Sequence, residues 1–485
     1  MAQRPAKIPR MTITTRFAPS PTGRIHLGNA RTAYFNYLAA RQAGGKFLLR
    51  VEDTDLERSR DDYITAVMDD LSWLGVTWDE GPDVGGPQSP YRQSQRGDIY
   101  RRYYQALDDQ GLVYPCYCSA AELALSRKAQ RSAGQAPRYA GACAHLSAAD
   151  RSRREAKGIT PTLRFRVAPG RVIEFEDRVR GRQRFLSDDI GDFIIRKADG
   201  TPAFFFCNAI DDALMGVNLV LRGEDHLTNT PRQLLLLAAL GLPTPAYGHI
   251  SLVLGQDGAP LAKRNGSRSI AELRAAGWLP EAVANYLARL GHTFAAECGL
   301  LAAPEIAEAF RLPRLVKAAA RYDEGQLAYW QKAAVSTADE ATLSPLIQAQ
   351  IAQPAPAAQW AEFIRAIRDN IVLPGDAALW ADVVFSDAPP QSQAAAQVLA
   401  DADVAVLQAG LECIDPPLDW ATFSKAVGAR AGVKGKALFQ PLRAALTGQL
   451  HGPQMADLLP LIGESRARAR LAAAVDVAAG RPTVA

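Results

Sequence analysis

Alternating and helical patterns of apolar residues mark the first part of the chain as α/β. Residues 12–17 (TITTRF) are short, β-branched and alternating, which predicts a strand. In residues 29–43 the apolar positions follow i, i+3, i+4, i+7 and i+8 spacing, which predicts a helix that stops at Gly44-Gly45. Residues 46–51 (KFLLRV) predict a second strand. We therefore expect a strand–helix–strand unit of a parallel sheet, with ligands at the carboxyl ends of its strands.

The same kind of pattern returns later in the chain. Residues 217–222 (VNLVLR) predict a strand, and residues 230–240 predict a helix. Between the two α/β parts, residues from about 91 to 206 differ in composition and contain the strand-like pieces 162–167 and 171–175. The α/β domain is therefore predicted to be split by an α+β insertion.

Beyond about residue 271 the pattern is amphipathic and helical, so we expect an all-α carboxyl-terminal half. Residues 350–359 (QIAQPAPAAQ) form the only biased linker, and no internal repeat is evident. Because the sequence has no uninterrupted apolar run of about 18 residues, no membrane span is expected. The basic start, residues 1–10, lacks the apolar core of a secretion signal and is expected to be a loose arm of a cytoplasmic protein.

Composition changes this picture little, whereas the distribution of charge adds to it. With 485 residues, 48% hydrophobic and 22% charged, the chain has the size of roughly two to four globular domains. Residues 121–185 contain fifteen Lys and Arg against six Asp and Glu, residues 336–420 two against twelve, and residues 421–485 nine against three. Two basic segments suit a polyanion such as RNA, because clustered cations displace counterions from phosphates. Solvated helix faces explain the same charges equally well.

The cysteines fall into one motif and three isolated positions. Cys116-x-Cys118 is separated by 24 residues from Cys143-x-His145, with Tyr139 just upstream of Cys143. Three thiolates and one imidazole or phenolate complete a tetrahedral zinc site, so we predict one structural Zn²⁺. The predicted ligands are Cys116, Cys118, Cys143 and His145, with Tyr139 as the alternative to the histidine. The isolated thiols, which suit a reducing compartment, are expected in the core: Cys207, Cys298 and Cys413.

A Pro- and Gly-rich loop, APSPTGRIHLG in residues 18–28, joins the first predicted strand to the first helix. A helix amino terminus offers unpaired N–H groups and the positive end of a dipole, which attract phosphate. Gly28 allows an adenine ring to approach the backbone, and His26 can donate hydrogen bonds to a triphosphate. The absence of a Walker lysine and of G-x-G-x-x-G disfavours P-loop NTPases and dinucleotide enzymes. For His-x-Gly alone, a turn with an incidental histidine is the alternative.

Several long stretches of the chain together resemble one enzyme family. RFAPSPTG…HLGNARTAYFNYLAARQAGGKFLLRVEDTD resembles the opening of class I glutamyl-tRNA synthetases, including their version of the HIGH motif. GDFIIRKADGTP, IDDALMGVNLVLRGEDHLTNTPRQ and ALFQPLRAALTGQLHGP resemble the same family in collinear order. The resemblance implies a Rossmann-type α/β catalytic domain at 11–270, with an acceptor-stem-binding α+β insertion at about 91–206. It further implies a helical connecting domain at 271–335 and an all-α anticodon-binding domain at 336–485.

Carried over residue by residue, the resemblance implies two sets of ligand-binding positions. The glutamate pocket comprises Arg16, Ser20, Glu52, Phe204, Asn208 and Arg222. The ATP site comprises Ala18, His26, Gly28, His226, Lys263 and Arg264, of which His26 and Lys263 take part in catalysis. Arginines suit the bidentate pairing of a carboxylate, and Glu52 can hold the ammonium group of the substrate. A surface ion pair between Arg16 and Glu52 is the alternative.

The position of the family's KMSKS loop is occupied by Leu261-Ala262-Lys263-Arg264. Lys263 can neutralise the charge that develops on the phosphates as the glutamate carboxylate attacks the α-phosphate. Pro260 stands in the place of the first lysine and Ala262 in that of the usual serine, while Phe204 replaces a pocket tyrosine. These departures leave the rate and the amino-acid selectivity open.

The resemblance implies a two-step reaction in a cytoplasmic monomer. L-Glutamate and ATP, with Mg²⁺, give glutamyl-adenylate and pyrophosphate, and a terminal hydroxyl of tRNA(Glu) then attacks the adenylate. The resemblance also implies that tRNA binds before the adenylate forms. Other interpretations are an enzyme that also charges tRNA(Gln), a nucleotidyltransferase, and an RNA-binding relative without charging activity. A glutaminyl-tRNA synthetase would have a β-rich carboxyl-terminal domain, and a shortened paralogue that glutamylates a tRNA base would lack the long helical half.

Overall fold

The structure is a computed structural model that describes residues 12–55, 57–262, 265–351 and 356–480. The predicted arm at residues 1–10 therefore lies outside the described residues, as does part of the predicted linker. The chain separates into two compact units. The first comprises the described residues up to Glu272 together with Val283–Glu324, and the second comprises Leu273–Ala282 and the described residues from Gly325 onward.

All strands of the described residues lie in the first unit. They are β1 (Thr14–Phe17), β2 (Lys46–Leu49), β3 (Val113–Cys116), β4 (Thr162–Phe165), β5 (Val172–Asp177), β6 (Gly181–Leu186), β7 (Phe193–Arg196), β8 (Leu219–Gly223), β9 (Ala246–Ile250), β10 (Val253–Leu254) and β11 (Ala320–Arg321). Parallel pairing joins β1 to β2 and β8 to β9. β5 meets β9 in parallel and pairs with β6 in antiparallel register. β3, β4 and β7 form a separate antiparallel sheet.

Helices form the rest of the regular structure. In the first unit they are α1 (Leu27–Gln42), α2 (Asp61–Trp73), α3 (Gly97–Asp109), α4 (Ala120–Ser132), α5 (Ala148–Glu155), α6 (Ser187–Ile190), α7 (Phe204–Leu214) and α8 (Thr230–Leu240). They continue with α9 (Ile270–Ala275), α10 (Pro280–Arg289), α11 (Ala303–Ala309), α12 (Glu324–Thr337), α13 (Glu340–Gln348), α14 (Trp360–Ile367) and α15 (Ala377–Phe385). The last are α16 (Gln393–Ala400), α17 (Val404–Cys413), α18 (Trp420–Ala431), α19 (Lys436–Thr447), α20 (Met455–Ile462) and α21 (Glu464–Ala478).

The predicted strand–helix–strand unit is confirmed as β1, α1 and β2, with ends that differ by up to two residues. Helix α1 is buried on nearly all sides, and it ends before Gly44, whose φ of 65° favours glycine. The fully buried Asn36 donates side-chain hydrogen bonds to the carbonyl oxygens of Thr32 and Leu221, at 2.8 and 3.0 Å. The bond to Leu221 fixes α1 against β8, whereas the bond to Thr32 lies within the helix; together they satisfy a buried amide.

Strand β8 lies beside β1, so the two predicted α/β parts come together. The backbone N–H of Asn218 donates to the carbonyl oxygen of Thr14 at 3.1 Å, and the Asn218 side-chain oxygen accepts from the Thr14 N–H at 2.8 Å. The carboxyl ends of β1 and β8 consequently bring Arg16 and Arg222 to one region of the unit. This is the edge at which the sequence predicts ligands.

The region between the two α/β parts mixes helices with antiparallel strands, as predicted. Its core is aromatic: Tyr104 stacks on Phe206 with ring centroids 4.4 Å apart, and Phe165 stacks on Phe193 at 5.3 Å. Such rings bury large apolar areas and hold β4 and β7 against α3 and α7. The predicted order of an α/β domain with an α+β insertion, followed by helices, is confirmed.

In the second unit the described residues contain helices and no strand. Helices α17, α19 and α21 pack on one another through fully buried side chains such as Leu407, Leu442 and Leu471. Within the described parts of the chain, no single helix is long and apolar enough to cross a membrane; α16 and α17 pass that test only as a pair bent by 98°.

Candidate active site and cysteine cluster

A cleft of about 680 Å³ opens where β1 and β8 end. The predicted ligand-binding residues that the structure describes all line it: Arg16, Ala18, Ser20, His26, Gly28, Glu52, Phe204, Asn208, Arg222 and His226. Lys263 and Arg264 lie outside the described residues. Pro260 and Leu261, which directly precede Ala262 and this pair, line the cleft. The fold thus collects residues that are up to about 240 positions apart in sequence.

Arg16 is held in place by a buried carboxylate that the sequence did not identify. Its Nε donates to Asp212 Oδ1 at 3.0 Å, and Arg50 Nη1 donates to the same oxygen at 2.7 Å. Burial favours a raised pKa for Asp212, but the guanidinium groups of Arg16 and Arg50 outweigh it and lower the pKa. Asp212 is therefore charged, and the interpretation of Arg16 and Glu52 as a surface ion pair is wrong because both are buried.

Glu52 lies beside this network and is 6% exposed. Arg50 Nη2 is 3.6 Å from Glu52 Oε1 and donates to the side-chain oxygen of Asn208 at 2.8 Å. Burial raises the pKa of Glu52 to about 7, although Arg50 and Arg16 lower it in part. A cation bound at this carboxylate would restore its charge, which suits an ammonium group.

Arg222 is the second buried guanidinium of the cleft and is 5% exposed. Its Nε and Nη2 bond to His249, Thr230 and Gln233, whereas Nη1 has no hydrogen-bond partner among the described residues. Burial lowers the pKa of Arg222 to about 10. An unsatisfied buried donor costs about 1–3 kcal/mol, so a ligand carboxylate at Nη1 would be favourable.

Helix α1 presents its amino terminus to the same cleft. His26 occupies the N-cap position, the first turn carries no acidic side chain, and Gly28 has no atom within 4 Å of where a Cβ would lie. The open space over Gly28, together with the free N–H groups of a 16-residue helix, can accept an anion and a flat ring.

Phe204 and His226 form one wall of the cleft. Their rings stack with centroids 5.2 Å apart and planes inclined by 24°. Phe204 begins α7 and is 36% exposed, and burial lowers the pKa of His226. A neutral imidazole on a phenyl ring offers a ligand a flat apolar surface with one polar edge.

The predicted zinc motif forms a compact cluster away from this cleft. The sulfur atoms of Cys116, Cys118 and Cys143 all lie within 4.8 Å of one another, with Cys118 and Cys143 at 3.5 Å. Tyr139 Oη lies 3.4 and 3.6 Å from the sulfurs of Cys116 and Cys118 and accepts from the Cys143 N–H at 2.8 Å. Separations of this size are compatible with a shared ion whose Zn–S bonds would be about 2.3 Å long.

His145, the histidine proposed from the sequence as the fourth ligand, does not join the cluster in the structure. Its side chain is exposed, and it is not among the groups that lie within reach of a shared ion. Two residues past Cys143 the chain turns outward, so the imidazole is carried away while Tyr139 folds back over the thiols. The guanidinium of Arg164 lies 3.7 Å from the centre of the Tyr139 ring and holds that ring in place.

A second cavity, of about 650 Å³, lies beside the cysteine cluster and is lined by the insertion and by residues around the start of α8. Its carboxylates are already engaged: Glu122 accepts from the Ser119 N–H at 2.7 Å, and Asp192 accepts from the Tyr114 hydroxyl at 2.6 Å. Five arginines also line it: Arg127, Arg138, Arg154, Arg164 and Arg232. The cavity therefore carries an excess of positive charge, which favours an anionic ligand.

Sequence reasoning missed the residues that support the cleft from behind, above all Asp212, Arg50 and His249. Asp212 follows Asn208 by one helical turn, so a shared face of α7 was a usable signal. Arg50 is the last residue of the KFLLR run, and no sequence pattern of this kind indicates its role. The remaining cysteines were predicted to be core residues: Cys207 is buried, whereas Cys298 and Cys413 are only half-buried.

Comparison with known proteins agrees with the geometry. The family model of tRNA synthetases class I (E and Q), catalytic domain, matches residues 12–329, and that of an anticodon binding domain matches residues 342–475. The chain is similar to glutamate–tRNA ligase 2 of Alkalilimnicola ehrlichii, 55% identical over 473 residues that cover 97% of this chain and 99% of that one. It is also similar to glutamate–tRNA ligase 1 of Methylococcus capsulatus, 52% identical over 465 residues that cover 95% and 98%.

Two solved structures resemble the whole fold. A glutamate tRNA ligase of Elizabethkingia meningosepticum, crystallised in complex with its amino acid, superposes with a TM-score of 0.86 at 27% identity and covers 96% of this chain and 99% of its own. A glutamate-tRNA synthetase of Elizabethkingia anophelis gives the same TM-score and identity, covering 96% and 100%.

Proposed function

The chain belongs to the class I tRNA synthetases (E and Q), and we propose that it uses ATP to join L-glutamate to tRNA(Glu). The resemblance found in the sequence is thereby confirmed. The observation that carries the choice of glutamate is the pair of buried arginines, Arg16 and Arg222, that face one cleft beside Glu52. Relatives of 55% and 52% identity that are named glutamate–tRNA ligases support the same choice.

The charges of this part of the cleft suit glutamate as a ligand. Arg16, Arg50 and Arg222 carry three positive charges against the two carboxylates of Asp212 and Glu52. L-Glutamate carries two carboxylates and one ammonium group, so it supplies the missing negative charge. In the proposed pose Arg222 and Arg16 bind the carboxylates and Glu52 binds the ammonium group, with Ser20, Asn208 and Phe204 around them.

ATP is proposed to bind at the amino terminus of α1. Gly28 and Ala18 leave space for the adenosine, while His26 and the helix N–H groups meet the phosphates, and His226 lies near the nucleotide. Lys263 and Arg264 follow the cleft-lining Leu261 by two and three residues in sequence, and the resemblance to the family assigns them to the same phosphates. Mg²⁺ bound with ATP would neutralise phosphate charge, and the chain's own part in the first step is to orient the glutamate carboxylate toward the α-phosphate.

One structural Zn²⁺ is proposed at the cysteine cluster. The donor set favoured by the geometry is Cys116, Cys118, Cys143 and Tyr139, which replaces His145 of the sequence-based proposal. A bound zinc ion would cross-link β3 to the loop that carries Cys143 and so stiffen the insertion. No step of the reaction passes through it.

The tRNA is proposed to contact both halves of the chain. The insertion at about 91–206, with its arginine-lined cavity, is assigned to the acceptor end, and residues 336–485 are assigned to the anticodon. Residues 11–270 are proposed as the catalytic domain and residues 271–335 as the helical connection. Exposed lysines near the start of α19 support residues 421–485 as the proposed contact surface of the anticodon half.

A monomer in the cytoplasm is the proposed setting. Free cysteines throughout the described chain suit a reducing compartment. Light scattering of the purified protein at micromolar concentration is expected to give the mass of one chain, 52.3 kDa.

A charging assay with labelled L-glutamate and two purified tRNAs tests the function. The wild type is expected to charge tRNA(Glu), and the amount of glutamate transferred to tRNA(Gln) decides whether the enzyme is discriminating. Failure with both tRNAs, in protein that binds tRNA, would indicate an RNA-binding relative without charging activity. Pyrophosphate exchange that needs no tRNA would point to a nucleotidyltransferase.

Lys263→Ala is the matched variant for the first step. Because Lys263 is proposed to act on transition-state charge, the variant should lower tRNA-dependent pyrophosphate exchange by on the order of 100-fold or more. Its affinity for tRNA should stay within about twofold of the wild type. Lys332→Ala, on the exposed side of α12, removes the same charge elsewhere and should leave both quantities unchanged.

A further inference from the structure

A buried chain of hydrogen bonds runs behind Arg222, away from the cleft. Asp177 Oδ2 lies 2.5 Å from His249 Nδ1, and Arg222 Nε donates to His249 Nε2 at 3.1 Å. The side chains of Asp177 and His249 are fully buried. Neither residue lines the cleft, so their effect on a bound ligand must pass through Arg222.

We propose that Asp177 and His249 are positioning residues that hold Arg222 with one nitrogen, Nη1, reserved for a carboxylate of glutamate. The proposal rests on the glutamate-binding function given above. Arg222 Nη2 is held by Thr230 Oγ1 at 2.8 Å and Gln233 Oε1 at 2.7 Å, and its guanidinium lies 5.3 Å from the centre of the Tyr247 ring. With Nε and Nη2 engaged, Nη1 is the one donor nitrogen of Arg222 without a partner in the described residues.

This arrangement requires one particular tautomer of His249. Arginine can only donate, so Nε2 of His249 must be unprotonated to accept from Arg222 Nε. The ring proton then lies on Nδ1 and is donated to Asp177 Oδ2. The Thr230 hydroxyl, 3.1 Å from Nε2, could accept a proton placed there, but Nε2 would then no longer accept from Arg222 Nε, and the guanidinium would lose this contact.

Asp177 is fixed so that it can enforce this tautomer. Its Oδ1 accepts three backbone N–H groups, from Val179 at 2.9 Å, Arg180 at 2.7 Å and His249 at 3.1 Å. Only Oδ2 is left for the imidazole. In Asp177→Asn the amide oxygen must therefore keep the place of Oδ1, because the three N–H groups need an acceptor. The amide nitrogen then faces His249 Nδ1 and donates to it, which moves the ring proton to Nε2.

Three variants test the proposal in charging assays at saturating tRNA(Glu). His249→Leu removes the acceptor, and Asp177→Asn reverses the tautomer, so each should raise KM for glutamate by on the order of 10- to 100-fold. KM for ATP should stay within about twofold of the wild type, because Arg222 is assigned to the amino acid. His249→Gln supplies an amide oxygen near the place of Nε2 and should restore KM for glutamate to within about fivefold.

A matched control separates positioning from stability. His292 is also buried in the first unit, bonds to the backbone of Arg311 and does not line the cleft. His292→Gln should lower Tm without changing KM for glutamate. Nitrogen-15 spectra of histidine-labelled protein give a readout that does not depend on charging: His249 should carry its proton on Nδ1 in the wild type and on Nε2 in Asp177→Asn.

The outcomes distinguish a failure of this positioning role from a failure of the glutamate-charging function on which it rests. If the wild type charges glutamate but His249→Leu and Asp177→Asn change only Tm or kcat, the positioning role is wrong and the function stands. An equal rise of KM for glutamate in His249→Gln and His249→Leu would also overturn the positioning role. The same His249 tautomer in the wild type and in Asp177→Asn would overturn it too. If the wild type charges no tRNA with glutamate, the function itself fails.

Discussion

At the scale of single residues, Glu52 combines burial with a proposed role in binding the substrate ammonium group. Burial raises its pKa from 4.5 to about 7, so the free protein holds a proton there mainly at pH values below about 7. An ammonium group can bind well only after that proton has left. In the proposed pose, binding of the amino acid should therefore depend on pH through Glu52.

We expect KM for glutamate to fall as pH rises through about 7 in the wild type, and Glu52→Gln to lack this dependence. Below that pKa the change should approach tenfold per pH unit, since one proton is released on binding. Steady-state charging at a series of pH values measures it. Identical pH profiles of KM in the two proteins would contradict the role given to Glu52.

Unfolding of the free protein provides the control for that prediction. The folded pKa lies above the unfolded value of 4.5, so the contribution of Glu52 to stability is fully present below 4.5 and is lost as pH rises through about 7. The uncharged side chain in Glu52→Gln does not titrate, so the stability of this variant does not change with pH in this way. Without ligand, Tm of the variant should therefore rise relative to that of the wild type over this interval.

The proposed zinc binding of the cysteine cluster also depends on single residues. Wild-type protein is expected to retain about one Zn²⁺ per chain after dialysis, and Cys116→Ser none. Tyr139→Phe, which keeps the ring under Arg164 but removes the oxygen donor, should weaken zinc binding by on the order of 10-fold or more. Metal analysis with a competing chelator measures this.

His145→Ala is the matched control for the cluster. Because His145 is exposed and outside the cluster, its loss should leave the zinc content unchanged. Zinc loss in His145→Ala with full retention in Tyr139→Phe would restore the ligand set expected from the sequence. Wild-type protein free of metal would refute the site.

At the scale of elements, the amino terminus of α1 is the place where a nucleotide is proposed to approach the backbone. The position of a Cβ on Gly28 has no neighbour within 4 Å, and its backbone does not need a positive φ. The protein itself therefore does not require glycine at this helical position. The space matters only if a ligand fills it.

Gly28→Val should accordingly fold with little change in Tm while raising KM for ATP by roughly tenfold or more, because the side chain would occupy the proposed adenosine site. Charging kinetics with ATP varied, alongside thermal unfolding, separates the two effects. Gly299→Val is the control: Gly299 also has open space around it and does not line the cleft, so KM for ATP should be unchanged. An unaltered KM in Gly28→Val would move the adenosine site elsewhere.

At the scale of the whole molecule, the uneven distribution of charge along the chain leads to a prediction about where tRNA binds. Lys434 lies two residues before α19 and Lys436 begins it; both are exposed and belong to the segment with nine basic against three acidic residues. Solvated lysines of this kind contribute little to folding, so removing them reports on a partner. The acidic segment at residues 336–420 offers RNA no comparable attraction.

The double variant Lys434→Gln/Lys436→Gln should weaken tRNA(Glu) binding and reduce the slope of log affinity against log salt concentration by roughly one to two. Filter binding at several salt concentrations measures both. Lys332→Gln, an exposed lysine of the same unit outside this segment, should leave the slope unchanged. An unchanged slope in the double variant would favour the interpretation of these charges as solvated helix faces.

Much of the fold and of the cleft could be predicted from the sequence, for reasons visible in particular residues. Strand and helix periods are local, so β1, α1, β2 and α8 were predicted to within two residues. His26 and Gly28 were predicted from their place at the start of a helix, where the local signal is strong. The resemblance to a family supplied the other cleft residues.

What only the tertiary structure decided are the contacts between residues distant in sequence. Asp212 lies 196 positions from Arg16, and Asp177 lies 72 positions from His249, so no local period could indicate either pair. The choice of Tyr139 over His145 likewise depends on how a loop folds over three thiols rather than on spacing. The sequence by itself determined the elements and the chemistry they carry, because both are short-range. The ionisation of Glu52 and the free donor of Arg222 arise from burial, which exists only once the chain has packed.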